Sequence, residues 1–348
     1  MNQTRLLALV CAAVLALAGG WYFGTATRPS SDAAIDTGQL MFPGLAPKLT
    51  EARRIEITAK GKTLVVALKD NVWGVEDHGG YRVTESKLRG MLTALTELRL
   101  VEPRTADPTQ YTRLGVETPS AEKDSTASLL TVLDGAGKPI VTLIAGHRRT
   151  RTQGNVPEQI YVRRPNEAQS WLAEGGLQVD TDAQVWLDRA VINVSNGQIM
   201  KVVSTKGNET IELWRDDTKL KVTVPAEHPP LEDYKLDDVA RALESLTFQD
   251  VKRDSEPLGE PAGSAVFTTL DGLEIHVTVS HLEKDSWTRI KAVGKPEAAD
   301  KLNAKLAGWA FQTGLWKDKA LIPGIADLAA PPPPQAGGAG MIKPEAPK

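Results

Sequence analysis

Cysteine is almost absent from the sequence, whose 348 residues include a single one, Cys11. One thiol excludes an intramolecular disulfide and any metal cluster built from several cysteines. The five histidines are scattered, and none belongs to an HExxH motif or another closely spaced ligand pair. The sequence therefore predicts no metal site and no cofactor.

An excess of charge of either sign is also missing. Lys and Arg number 41 and Asp and Glu 44, which leaves a net charge of -3. Proteins that hold nucleic acid need a basic surface against the phosphates, so we predict no nucleic-acid partner. Apolar residues make up 41% and charged residues 24%, a composition typical of a folded globular chain.

Familiar catalytic motifs are absent as well. The sequence has no Gly-x-Ser-x-Gly elbow, no Walker loop and no dinucleotide-binding glycine pattern. We therefore predict that the chain is not an enzyme. One catalytic alternative stays open, a hydrolase whose carboxylate pair is assembled from residues distant in sequence, because no motif is needed for such a site.

A charge-free run occupies residues 6–27, which are 22 in number. As a helix rising about 1.5 Å per residue it would reach roughly 33 Å, enough to span a bilayer core. The aromatic residues 21–23 fall near the far interface, where such rings prefer to lie. We predict that residues 1–28 are an uncleaved anchor in the bacterial inner membrane, with a single span and the bulk of the chain in the periplasm. The alternative is a cleaved signal peptide with the small-x-small site at residues 16–18.

Two polar or low-complexity segments flank the predicted body. Residues 29–40 are small and polar, which is typical of a flexible spacer. Residues 326–348 are rich in Pro, Ala and Gly and cannot bury a core, so we predict a disordered tail. The folded body is therefore expected between residues 41 and 325.

The body contains one order of predicted elements twice. Alternating apolar residues and turn residues predict three strands in each copy, followed by a helix with apolar residues at i, i+3, i+4 and i+7. The first copy has strands 54–58, 63–68 and 72–75 and the helix of Leu88, Met91, Leu92 and Leu95. The second has strands 199–204, 210–214 and 220–224 and the helix of Val239, Ala242, Leu243 and Leu246. The first turns align as Lys60-Gly61 and Lys206-Gly207.

Each copy then continues with a hairpin, a strand and a short helix. The hairpin turns align as Asp134-Gly135 and Asp271-Gly272. The closing strands are predicted at 159–163 and 287–292, and the closing helices at 167–173 and 298–311. We predict an α+β fold of two repeated modules, residues 41–190 and 191–325. Each module is a mostly antiparallel sheet with a helix packed on one face.

Residues 144–151 contain the weak candidates for a ligand-binding site, Arg148, Arg149 and Arg151. Clustered guanidinium groups suit a phosphate or an acidic glycan. The alternative is a solvated basic loop. The acidic run at 231–238 lacks the central glycine and the spacing of a calcium loop, and we place Asp237 and Asp238 at a helix N-terminus instead.

Tryptophan is frequent for a chain with only 5% aromatic residues, since eight are present. Those of the body each lie in an apolar pattern, as in Val72-Trp73-Gly74-Val75, and core packing is the expectation. An exposed tryptophan beside polar groups would instead favour stacking on sugar rings.

A set of short motifs is more specific than any one of them. The motifs lie at 41–45, 52–57, 73, 80–81, 98–102, 111–116, 161–165, 170–172 and 186–189. Together they resemble a bacterial family, the domain of unknown function 4340. The resemblance is weaker through the second copy, and Arg82 stands where the family often has proline. It implies an N-terminal membrane segment and a likeness to accessory proteins of gliding-motility-type ABC transport systems, and it supplies no catalytic residue.

From these observations we expect a non-catalytic interaction or accessory subunit of an ABC-type transport or envelope complex. It would be bound to the membrane by its single span and would contact a protein partner in the cell envelope; a small-molecule ligand stays unknown. The main alternative is a periplasmic module that binds peptidoglycan or another glycan through exposed tryptophans and the arginines of 148–151.

Overall fold

The computed structural model describes residues 38–120, 125–149 and 157–331. Two large sheets dominate this part of the chain, every paired strand in them is antiparallel, and the fold is α+β. No helix of the described residues is long and apolar enough to cross a bilayer. The predicted anchor at residues 1–28 lies outside the described residues, as do most of the predicted spacer and tail.

The first sheet is built from nine strands between residues 52 and 174. They are β1 (Ala52–Ala59), β2 (Lys62–Lys69), β3 (Val72–Val75), β4 (Tyr81–Arg82), β5 (Arg99–Pro103), β6 (Ser128–Asp134), β7 (Pro139–Arg149), β8 (Gln159–Arg163) and β9 (Ser170–Glu174). Their order across the sheet is β4-β3-β2-β1-β6-β7-β8-β9-β5. The accompanying helices are α1 (Leu45–Lys48), α2 (Glu85–Glu97) and α3 (Tyr111–Leu114).

The second sheet has eight strands, preceded by the short strand β10 (Ala190–Ile192), which pairs with β14 (Leu246–Thr247). Its strands are β11 (Ile199–Lys206), β12 (Glu209–Asp216), β13 (Lys219–Val224), β15 (Asp250–Arg253), β16 (Glu260–Thr269), β17 (Glu274–Leu282), β18 (Asp285–Val293) and β19 (Trp309–Thr313). Their order is β13-β12-β11-β16-β17-β18-β19-β15. The helices are α4 (Asp233–Ala240), α5 (Pro296–Leu306), α6 (Leu315–Leu321) and α7 (Ile325–Leu328).

The two sheets share one strand order. From β3 to β5 in the first sheet, each strand has its counterpart at the same place between β13 and β15 in the second. The register shift in the β1–β6 pair recurs in the β11–β16 pair. A cross-strand pair of threonine hydroxyls beside the first turn is also repeated, Thr58 with Thr63 at 2.9 Å and Thr205 with Thr210 at 3.2 Å. Among the strands of the first sheet, only β4 has no counterpart among the described strands of the second.

The turns correspond differently from the sequence alignment. The first turn of the second sheet is Gly207-Asn208, because β11 continues through Lys206. In the later hairpins the matching residues are Asp134 and Thr269. Their side chains accept hydrogen bonds from the amides four residues further on, at 2.8 Å and 3.0 Å. The alignment of the two Asp-Gly pairs is therefore wrong by two residues.

One continuous apolar core runs through both halves of the molecule. Leu88, Met91 and Leu95 of α2 join it with the buried faces of β1 and β2. Leu236, Val239 and Ala240 of α4 join it with the corresponding faces of β11 and β12. Smaller apolar clusters lie on the opposite faces, around Tyr111 in the first sheet and Trp287 in the second.

Three predicted helices are wrong in extent or type. Residues 167–173 contribute to β9, since 170–174 form a strand between β8 and β5. The helix predicted at 298–311 ends at Leu306, and residues 309–313 form β19 in the corresponding place. Helix α4 ends at Ala240, and Leu246 begins β14. Short apolar runs fit either periodicity, and the strand partners decide between them.

The described fold extends beyond the predicted body at both ends. Leu40 forms a bridge with Arg99 of β5, and the Gly38 amide donates to the Leu100 carbonyl at 2.6 Å. At the other end, α7 packs Leu328 into the core, and the Ala330 amide donates to the Pro230 carbonyl at 2.8 Å. Residues 38–40, predicted as spacer, and residues 326–330, predicted as tail, therefore belong to the folded body.

Candidate functional site

The predicted arginine site lies at the end of β7. The Arg148 guanidinium forms an ion pair with the Glu158 carboxylate, and Arg149 is in register with Gln159 of β8. Arg151 lies outside the described residues. Since a neighbouring carboxylate neutralises Arg148, its surroundings do not add to the prediction of an anion site.

Residues 233–238 of the acidic run form the first part of α4, and Leu231 and Glu232 precede the helix. Asp233 is the first residue of α4, and its Oδ2 forms an ion pair with Lys219 Nζ at 2.5 Å. Asp237 and Asp238 lie in the second turn, not at the N-terminus as predicted, and Asp237 pairs with Arg241 at 2.9 Å. No group of three His, Cys, Asp or Glu side chains in the described ranges is placed to hold a metal ion.

A buried carboxylate at Asp318 of α6 joins a serine and a histidine. Asp318 Oδ1 accepts a hydrogen bond from Ser286 Oγ at 2.6 Å. Asp318 Oδ2 lies 2.7 Å from His281 Nε2. The order differs from that of a catalytic triad, in which histidine lies between serine and carboxylate. Ser286 is also fully buried. The cluster therefore fastens α6 to the β17–β18 hairpin and offers no nucleophile to a substrate.

The junction between the two halves centres on Tyr81 of β4. Its fully buried ring meets Phe248, Trp309 and Phe311 edge-on, with centroid distances of 5.3, 4.9 and 5.9 Å. Burial raises the pKa of the Tyr81 phenol well above its ordinary range. Arg253, on the other side of the junction, donates a hydrogen bond to the Gly79 carbonyl at 2.7 Å.

An ion pair crosses the same junction. His78 Nε2, at the end of the 3₁₀ turn Glu76–His78, lies 3.2 Å from Asp250 Oδ1 of β15. The hydrogen bond to Asp250 raises the pKa of His78, and the same bond lowers the pKa of Asp250. The junction thus contains a histidine whose protonated form is favoured by a carboxylate of the other half.

A wide cleft of about 940 Å³ opens between α2 and the β3–β4 edge. Trp73, Leu88 and Leu92 line it, so Leu92 is only half-buried. The edge of β4 itself is covered, because Val83 bridges to Leu187 and the Thr84 amide donates to the Trp186 carbonyl at 2.8 Å. No free backbone edge is left there.

The corresponding edge of the second sheet is open. β13 pairs with β12 on one side, and no backbone hydrogen bond joins its other side to the described residues. Its last two residues, Thr223 and Val224, are exposed, with 44% of the Val224 surface accessible, and Val222 is half-buried. In the first sheet the matching strand β3 bonds outward, since the Trp73 and Val75 carbonyls accept from the Val83 and Gly80 amides at 2.9 Å. Sequence reasoning missed this difference.

The tryptophans of the body are mostly covered, with two exceptions. Trp186 and Trp287 are buried, and Trp73, Trp171 and Trp309 are half-buried. Trp214 of β12 and Trp316 of α6 are exposed, with 41% and 71% of their surfaces accessible. Trp316 shares a cleft of about 600 Å³ with Tyr234, which is 59% exposed. The prediction of core packing is therefore wrong for these two tryptophans.

Comparison with known proteins identifies one family. The sequence model described as Domain of unknown function (DUF4340) matches residues 73–263, which is more than half of the 348 residues. No curated protein and no solved structure matches the chain. The matched range covers the greater part of the first sheet, the Tyr81, Phe248 and Arg253 part of the junction, and the open edge of β13.

Proposed function

The chain belongs to the DUF4340 family, and we propose that it acts in the cell envelope as a non-catalytic interaction protein. Its two sheets are copies of one module, held outside the inner membrane by a single N-terminal span. The charge-free run of residues 6–27 supports the span. The resemblance to accessory proteins of ABC transport systems supports a partner in such a transport or envelope complex.

The open edge of β13 is the observation that carries this proposal. An exposed strand edge presents a row of unpaired amides and carbonyls, which proteins normally cover or pair. The first sheet covers the matching edge with β4 and then with residues 186–188. The second sheet has no described strand at that position, so its edge is available to another chain.

The repeated register predicts which backbone groups face the partner. Leu220 and Val222 occupy the places of Trp73 and Val75, because β2–β3 and β12–β13 pair in the same register. Their carbonyls should therefore point away from β12, as those of Trp73 and Val75 do from β2. An added strand would bond to both.

The occupant we propose is an extended segment of a partner protein. Strand addition takes affinity from main-chain hydrogen bonds and specificity from alternate side chains. Lys219 and Lys221 on the edge are already paired with Asp233 and Asp216, so the edge requires no charged partner. β4 places the buried Tyr81 at this position in the first sheet, and we expect an apolar residue of the partner in the equivalent place.

Proline at position 222 tests the proposal. Val222→Pro removes an outward amide and blocks an approaching strand, while a proline whose amide side faces solvent is tolerated on a strand edge. Val222→Thr is the matched control, because it keeps the amide and the β-branched shape. The full-length variants are purified from detergent-solubilised membranes, each carrying a photo-crosslinking residue at exposed position 223.

We expect wild type and Val222→Thr to crosslink to one short segment of a single membrane protein, and Val222→Pro to lose at least nine-tenths of that product. Thermal unfolding checks that all variants fold alike. Undiminished crosslinking in Val222→Pro would contradict the proposal, as would crosslinks only to a second copy of this chain.

A further inference from the structure

We propose that the cleft between α4, α6 and α7 is a saccharide-binding site, with the indole of Trp316 as its stacking platform. The cleft is separate from the β13 edge and has a volume of about 600 Å³, which is in the range of small-ligand sites. Trp316 and Tyr234 both line it, and both rings are more exposed than buried.

Trp316 is exposed, and one edge of its indole lies close to the Gly314 backbone. A Cβ atom placed on Gly314 would lie 2.4 Å from Trp316 Nε1 and 2.6 Å from Cδ1, so the indole lies directly against the Gly314 backbone. Only glycine permits this approach. The Lys317 ammonium lies 4.7 Å from the ring centroid, which adds a cation–π contact. Contacts that restrict an exposed side chain reduce the conformational entropy lost when a ligand binds to it.

Polar groups surround the platform and are free to bind. The side chains of Asp238, Glu244 and Lys319 line the cleft, and none of the three forms a hydrogen bond or ion pair with another side chain that the structure describes. Carboxylates accept hydrogen bonds from hydroxyl groups, and an ammonium donates to hydroxyl oxygens. An aromatic face beside such groups suits a sugar ring, which has an apolar face and a polar rim.

The charge of the lining selects the class of saccharide. Seven charged side chains line the cleft, four cationic and three anionic. This balance does not favour a strongly anionic ligand such as a phosphate or a sulfated glycan. It fits an uncharged sugar chain whose hydroxyl and amide groups both donate and accept, such as a chain of N-acetylated amino sugars.

Calorimetric titration of the full-length chain in detergent with chitotetraose tests the inference. We expect saturable binding to wild type and at least tenfold weaker binding to Trp316→Ala. Trp214→Ala is the matched control, because Trp214 is the other exposed tryptophan of the body and lies on β12. It should bind as wild type does.

Gly314→Ala tests whether the position of the indole matters, and not only the presence of an aromatic surface. The added methyl displaces the indole without removing it, and we expect at least a threefold loss of affinity with an unchanged melting temperature. Absence of saturable binding to wild type would overturn the inference, as would equal binding by Trp316→Ala. Binding of a proline-rich peptide, and not chitotetraose, would overturn it in favour of a peptide groove.

Discussion

Single residues join the two halves of the molecule more than any long element does. Tyr81 is fully buried among Phe248, Trp309 and Phe311, and its neighbours Gly79 and Arg82 each bond across to the other half. Arg82 occupies the position where the family often has proline, and its guanidinium donates to the Ala304 carbonyl at 3.0 Å. The departure therefore supplies a contact across the junction.

The His78–Asp250 pair predicts a pH dependence of stability. The pKa of His78 is raised, so its contribution is fully present below the unfolded value of about 6.5 and is lost as pH rises through the folded value. The pKa of Asp250 is lowered, so its contribution is present above about 3.9 and is lost as pH falls. The pair stabilises most between these limits.

Between pH 5.5 and 8.5, we expect the free energy of unfolding of wild type to fall by up to about 1 kcal/mol more than that of His78→Gln. The difference is small because the pair is partly exposed. Urea unfolding at both pH values measures the difference. Asp250→Asn and the double variant complete a mutant cycle, and the coupling should vanish at the higher pH. Parallel pH profiles for wild type and His78→Gln would contradict this assignment.

At the scale of elements, α2 and α4 hold corresponding positions but bury different parts of their apolar stripes. Leu92 in α2 lies on the wall of the larger cleft and is half-buried. The apolar spacing predicts Leu243 on the matching stripe of the second helix. In the structure it follows α4 in a turn and is fully buried. Equal apolar spacing therefore does not mean equal burial.

Aspartate substitutions measure this difference. Leu243→Asp buries a carboxylate without a partner and loses a fully packed side chain, and we expect a cost of about 3–5 kcal/mol. Leu92→Asp should cost about 1 kcal/mol, because only part of its side chain leaves an apolar contact. Thermal unfolding of the full-length chain compares them. Equal losses would show that the cleft wall closes over Leu92 in solution.

At the scale of the whole molecule, residues of both sheets contribute to a single apolar core. The junction contacts around Tyr81 join the halves, and the core cluster is continuous between them. Both ends of the described chain form backbone hydrogen bonds to the folded body, Gly38 to Leu100 of β5 and Ala330 to Pro230. A partner bound at β13 would therefore contact a sheet that shares one core with the N-terminal half of the described chain.

The exported orientation that we propose predicts the behaviour of reporter fusions. A reporter fused after Lys348 leaves α7 and Ala330 intact, unlike a fusion at residue 325. An export-dependent phosphatase should be active there and a cytoplasm-dependent reporter silent. N-terminal sequencing should find Met1 or Asn2 for a retained anchor. A start near Gly19 would show cleavage of a signal peptide, and the opposite reporter pattern would contradict export.

Local pattern was sufficient for much of the fold. The alternation in β1, β2, β3, β11, β12 and β13 and the turn residues between them identify these strands, because both signals lie within a few neighbouring residues. The α+β class and the helix α2 follow for the same reason. The family also follows from short motifs, each read from one segment.

Tertiary structure alone decided the rest. Residues 170–174 and 309–313 are strands because β8, β5, β18 and β15 supply hydrogen-bond partners from distant parts of the chain. The openness of β13 depends on the absence of a counterpart of β4 among the described strands, and the exposure of Trp316 depends on how α6 packs against its neighbours. Both candidate binding surfaces are defined by what lies beside them in space. A sequence pattern records the neighbours of a residue along the chain, whereas accessibility is a property of the packed neighbours.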